Sequence, residues 1–143
     1  MKNNEMYLEF DSNSANEGFA RVAVAAFVAQ LNPTLEEIAD IKTAVSEAVT
    51  NAIIHGYENQ EGKVMVRCKL EGDSVQIEIE DNGVGIADIE KAKEALYTTR
   101  PEWERSGMGF TFMETFMDHL YVESSVGEGT KIIMDKQIGI SKY

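Results

Sequence analysis

The chain has 143 residues, 43% apolar and 27% charged, with 13 basic against 25 acidic side chains and a net charge of -12; this predicts one globular domain, 1–143, with room for a real core. The acidic surface excludes non-specific binding to nucleic acid or to anionic membranes, and a single cysteine, Cys68, excludes an internal disulfide and fits a reduced, cytoplasmic setting. The most apolar window, Phe19 to Leu31, is broken by Arg21 and Gln30 and is too short for a membrane span, and the N-terminus lacks the apolar run of a signal peptide.

In chain order, Met6, Leu8 and Phe10 alternate with Tyr7 and Glu9 as in a half-buried strand with an edge open for pairing. Ser14 with Glu17 has capping-box spacing, and Phe19, Val22, Ala23, Ala26, Phe27 and Leu31 then recur at helical period until Asn32-Pro33. Thr34 with Glu37 repeats the signature ahead of a second stripe, Ile38, Ile41, Val45, Ala48 and Ala52, which stops at His55-Gly56. Val64, Val66, Cys68 and Leu70, then Val75, Ile77 and Ile79, alternate on either side of Glu71-Gly72-Asp73 and predict a hairpin. After Asp81-Asn82-Gly83-Val84-Gly85-Ile86 comes a short helical stretch (Ile89, Ala92, Leu96), then a polar segment from Tyr97 to Ser106 without periodicity, predicted to be a mobile loop. Gly107-Met108-Gly109 opens a helix through Phe110, Met113 and Met117; Tyr121 to Val126 and Thr130 to Lys136 form a closing hairpin, and Ile138 to Tyr143 a frayed tail. Hairpins with helices between them predict an α+β fold, a two-layer α/β sandwich whose mostly antiparallel, mixed sheet carries its helices on one face.

Chemistry concentrates at a few positions. Glu47, Asn51 and His55 recur every four residues and form one polar stripe on the flank of the second helix, either a cleft wall or a solvated edge. Asp81-Asn82-Gly83 is a strong hairpin signal, yet alternation does not resume after it, and Gly85 suggests a backbone that something approaches closely. Gly107-Met108-Gly109 before a helix leaves unpaired amides at a positive dipole end, suited to phosphate or to a hinge. GxGxxG and GxxxxGK[ST] patterns are absent, and the two histidines, His55 and His119, lack zinc-ligand spacing.

Taken in order, Glu47-x-x-x-Asn51, Asp81-x-Gly83-x-Gly85-Ile86, Gly107-x-Gly109-Phe110 and Gly127-x-Gly129-Thr130 resemble the N box and glycine boxes of the GHKL (Bergerat-fold) ATP-binding superfamily over nearly the whole chain. The resemblance implies ATP or ADP with Mg²⁺ as ligands. Asn51 would offer its amide oxygen to Mg²⁺, Asp81 would accept from the adenine amine with Thr130 in support, and Gly83 and Gly85 would let the backbone close around the nucleoside. Gly107, Met108 and Gly109 would cradle phosphates; Tyr97 to Ser106 would be an ATP lid in which Thr98, Thr99, Arg100 and Arg105 meet them. Glu47 would be the general base.

As a stand-alone module with the stretches SEAVTNAIIHGY, TTRPEWERSGMGF and FARVAVAAFVAQLNPT, the chain is similar to the anti-sigma factor serine kinases, although that family often has lysine where this chain has Arg100. That likeness implies a homodimer that holds a sporulation sigma factor inactive and, using ATP, phosphorylates a serine of a small anti-anti-sigma partner. Glu17 and Arg21 of the first helix would meet these partners, and the Met6 to Phe10 edge would join the dimer. A stress-response anti-sigma kinase with other partners, and a nucleotide-gated sequestering module without phosphoryl transfer, are the alternatives.

Overall fold

The computed structural model describes residues 3–58, 60–93 and 109–139. Its centre is the hairpin that the alternation predicts: β1 (Asn4–Asp11) lies beside β2 (Lys63–Glu71), which turns through Gly72 at φ 59 into β3 (Ser74–Asp81). Beyond β3 come β5 (Gly129–Gln137) and then β4 (His119–Ser125), so the strand order is β1-β2-β3-β5-β4. Every pairing among these strands is antiparallel, which removes the parallel component of the expected mixed sheet. The physical reason is the closing hairpin: β4 enters one strand's width away from β3, and β5 returns through the gap.

Helices α1 (Asn16–Val28), α2 (Leu35–Asn51) and α4 (Gly109–Phe116) supply the second layer, with a short α3 (Ile89–Ala92) between β3 and α4. Val64, Val66, Cys68, Leu70, Val75, Ile77, Ile79, Ile132 and Met134 face inward from the sheet and join one core with Ile41, Ala44, Val45, Ala48 and Val49 of α2. The opposite face is polar, with Arg67 paired to Glu78 and lying over the Tyr7 ring, and Lys69 paired to Glu5. Burial pushes the Cys68 thiol up to about 12, so it packs as a small apolar group. Lys136 is a buried charge beside the core: its Nζ donates to the Phe116 carbonyl at 2.8 Å, capping α4, and lies 4.0 Å from Asp40 of α2.

Four local expectations change. The buried stripe of α1 is Ala20, Val24 and Val28, continued by Leu31, whereas Phe19 and Val22 are 54% and 57% exposed and Ala26 is exposed too. Apolar residues surround most of that helix, so their spacing did not single out one face. Ser14 is not its cap; the N-cap is Ala15, without a side-chain bond, and the Asn13 carboxamide accepts from the Ala15 amide instead. The Thr34–Glu37 capping box of α2, by contrast, is present in both directions. The closing strand begins at His119 rather than Tyr121. Ile138 is buried and donates to the Asp73 carbonyl, and Gly139 donates to Glu37, so fraying does not reach them; residues 140–143 lie outside the described residues.

Candidate functional site

Alternation along β3 runs Val75, Ile77, Ile79, Asp81, so the strand that builds the core ends by pointing a carboxylate into it. Asp81 is 3% exposed. It stands in one inward row across the sheet, Phe10, Val64, Asp81, Thr130 and Ser124, each opposite the next. Burial pushes the Asp81 carboxyl up to about 6, against the pull of the Gly83 and Thr130 amides, which donate to it. A buried carboxylate held by two backbone donors, with remaining lone pairs and no cation beside it among the described residues, is suited to receive hydrogen-bond donors from a ligand.

Glycines surround it because backbone packs directly on backbone. After α2 the chain continues as a π-helical turn, Ala52–Gly56, which lays Gly56 against Asp81; a Cβ there would come 2.7 Å from the carboxyl group. A Cβ on Gly83 would come 1.9 Å from the Gly56 carbonyl oxygen, and one on Gly129 would come 2.1 Å from the Asp81 carbonyl oxygen. Gly85 needs its identity twice over, with φ 76 and only 2.0 Å between a Cβ and the Ser125 carbonyl oxygen. The 82–86 loop is therefore no hairpin turn. Its amides are pinned from several elements: Asn82 by the Tyr57 hydroxyl, Gly83 by Asp81, Val84 by the Gly56 carbonyl and Ile86 by Ser124 Oγ.

Glu47 and Asn51 stand on α2 upstream of Gly56, half-buried. Gly109, the first residue of α4, faces Glu47: a Cβ there would lie 3.4 Å from Oε2. At about 1.5 Å rise per residue, Glu47 and Gly56 are about 13 Å apart along the helix, with Asn51 between them. On its other side Glu47 borders a groove of about 390 Å³ between α1 and α2, lined also by Arg21, Val22, Lys42, Thr43 and Ser46. Arg21 lies 3.7 Å from Glu17 one turn earlier on α1, and Glu17 Oε2 is buried without a hydrogen-bond partner among the described residues.

The structure thus brings Asp81, Gly83, Gly85, Gly129 and Thr130 together at one end of α2, and places Glu47, Asn51 and Gly109 along its length. Thr98, Thr99, Arg100, Arg105, Gly107 and Met108 lie outside the described residues. His119 sits apart at the start of β4, 2.6 Å from Asp135, whose hydrogen bond and charge raise the imidazole pKa. Three contributors escaped the sequence reading. Gly56 reads as a helix stop, although a glycine there also signals close approach; Tyr57 and Ser124 carry no sequence signal, since any buried hydroxyl looks alike until its partners are known. Among the described residues no group of three or more His, Cys, Asp or Glu side chains could hold a metal, and no helix is long and apolar enough to cross a membrane.

An antiparallel sheet backed by helices, with a buried aspartate in a glycine cradle at the end of its central strand, defines a nucleotide-binding ATPase class, and the profile of the histidine kinase-like ATPase domain matches residues 10–136. The chain is 61% identical over 141 residues to the anti-sigma F factor of Clostridium beijerinckii, covering 98% of this chain and 99% of that protein. It is 62% identical over 136 residues to the anti-sigma F factor of Clostridium perfringens, covering 94% and 97%, and 60% identical over 136 residues to that of Clostridium kluyveri, covering 95% and 96%. This chain belongs to the histidine kinase-like ATPase family and, within it, to the anti-sigma F factors.

Proposed function

We propose that the chain is a cytoplasmic, ATP-dependent protein serine kinase that also holds a sporulation sigma factor inactive, and that it phosphorylates a serine of an anti-anti-sigma partner. One observation carries the reading: Arg21, expected at the partner surface, and Glu47, expected to be the base, line the same groove. A partner docked on α1 would reach the base without leaving that surface.

In this reading the purine amine donates to Asp81, beneath Gly56, and the phosphates extend along α2 toward Glu47, a span suited to an extended nucleoside triphosphate. Glu47 accepts the proton of the partner's serine hydroxyl as the oxygen attacks the terminal phosphorus, the bond from that phosphorus to the β–γ bridging oxygen breaks, and ADP leaves with the electron pair. Asn51 offers its amide oxygen to Mg²⁺; with no carboxylate cluster among the described residues, the ion would take its other ligands from phosphate and water, as Mg²⁺ prefers. When bound, the ion neutralises charge on the transferring group. The Met6 to Phe10 strand at the sheet edge supplies a surface for homodimerisation.

The test compares wild type with Glu47→Gln, incubated with γ-labelled ATP, Mg²⁺ and the anti-anti-sigma partner, with the label located by mass spectrometry. Label on a partner serine in wild type, lost in Glu47→Gln while ATP and sigma binding persist, is the expected result. ATP binding without label in wild type would replace the kinase by a nucleotide-gated sequestering module.

A further inference from the structure

Ser124 belongs to none of the glycine motifs, yet its hydroxyl lies where two of them meet. The Ile86 amide donates to Ser124 Oγ at 2.7 Å, Ser124 Oγ donates to the Gly129 carbonyl at 2.9 Å, and the Thr130 hydroxyl lies 2.8 Å from the same oxygen. A serine hydroxyl has one proton and two lone pairs. The proton is committed to Gly129, whose carbonyl can only accept, and one lone pair is committed to Ile86. What remains toward Thr130 is a lone pair, so Thr130 must be the donor. Its proton is then turned toward β4, and only its own lone pairs face the Asp81 side of the row.

From this geometry we infer that Ser124 is a positioning residue for base selection, acting through the direction of the Thr130 hydroxyl; the inference rests on the nucleotide reading given above. Asp81 and Thr130 then present two adjacent acceptors, and the donors beside them among the described residues, the Gly83 and Thr130 amides, are already committed to Asp81. A purine with an amine at its 6-position satisfies them, directly or through a bridging water. A 6-oxo purine brings an acceptor against acceptors and leaves its oxygen unpaired in a dry site, the kind of mismatch by which buried polar groups discriminate strongly. Without Ser124 Oγ, Thr130 is free to rotate and donate to a 6-oxo group, and the discrimination weakens.

The experiment measures dissociation constants of ATP and inosine triphosphate, with Mg²⁺, for the full chain as wild type, Ser124→Ala, Ser124→Thr, Thr130→Val and the Ser124→Ala/Thr130→Val double variant. Ser124→Ala should shift the ATP-to-inosine-triphosphate preference toward the 6-oxo nucleotide by about five- to tenfold, the weight of one neutral hydrogen bond. Ser124→Thr, which restores a hydroxyl, should return the wild-type ratio, and Ser124→Ala should leave the ratio unchanged when Thr130 is already valine. General loosening of the pocket would weaken both nucleotides together and would not move the ratio. An unchanged ratio in Ser124→Ala, or an equal change in the Thr130→Val background, overturns the role of Ser124 and leaves the nucleotide reading intact. Failure of wild type to bind ATP overturns that reading itself.

Discussion

Replacing Asp81 by asparagine separates what the site does for the ligand from what it costs the fold. Burial holds the Asp81 carboxyl at about 6, against a usual 3.8, a rise that penalises the ionised form by about 3 kcal/mol at neutral pH. Asparagine removes that penalty. Its carbonyl oxygen can still accept from Gly83, but its NH₂ group meets the Thr130 amide donor, which forfeits a hydrogen bond worth about 1–2 kcal/mol. The nucleotide-free variant should therefore gain about 1–2 kcal/mol at pH 7.5 and melt about 3–6 °C higher. The sign with pH follows from the raised pKa: the folded chain binds the Asp81 proton more readily than the unfolded one. Wild type therefore gains on the variant as pH falls through 6, overtakes it near pH 5 and is the more stable of the two, by about 1 kcal/mol, at about pH 4. ATP affinity moves the other way, weakening about 10- to 100-fold with the loss of a charge-assisted acceptor. Thermal unfolding from pH 4 to 8 and calorimetric titration with ATP measure both. A variant less stable than wild type at pH 7.5, or a stability difference that does not vary with pH, would refute the argument.

Gly83→Ala places a methyl group 1.9 Å from the Gly56 carbonyl oxygen and should cost more than about 3 kcal/mol, together with nucleotide binding, in denaturant melts and titrations. Gly72→Ala, where nothing lies within 4 Å but φ is 59, should cost only about 1–2 kcal/mol and leave binding intact. Tyr57→Phe removes the acceptor of the Asn82 amide and should lower stability by about 1–2 kcal/mol, with faster amide exchange at Asn82. Thr34→Ala should cost about 1 kcal/mol through loss of the α2 cap. Burial pushes the Glu37 carboxyl up, but the amides of Thr34 and Gly139 outweigh it and hold it below its usual range; its stabilisation should be present above the ordinary carboxylate range and lost as pH falls through the lowered pKa.

Much of this was legible because the elements obey short-range rules. Val64 to Leu70 and Val75 to Ile79 alternate strictly, so the hairpin and its inward face follow from period two alone. The same alternation carries on to Asp81 and turns it inward, although read from the sequence the alternation stops at Ile79 and Asp81 starts a turn or glycine box. Helix α1 resisted for the opposite reason: with Phe19, Val22, Val24, Phe27 and Val28 spread around it, only the shape of β2 and α2 decides which face is buried. Ser124, Tyr57 and Lys136 were opaque because their roles rest on partners 5 to 38 residues away in the chain. Local pattern cannot see such distances.

The inward row Phe10, Val64, Asp81, Thr130 and Ser124 has a consequence for how the sheet checks its own assembly. Sliding β3 by one residue would turn Asp81 to water and send Glu80 inward, and would do the same to Val75, Ile77 and Ile79. In the proposed nucleotide reading, correct pairing and a usable ligand site are therefore the same event. If Asp81 receives the purine amine as proposed, a misregistered chain loses that acceptor, and occupancy by nucleotide would report correct pairing of the sheet.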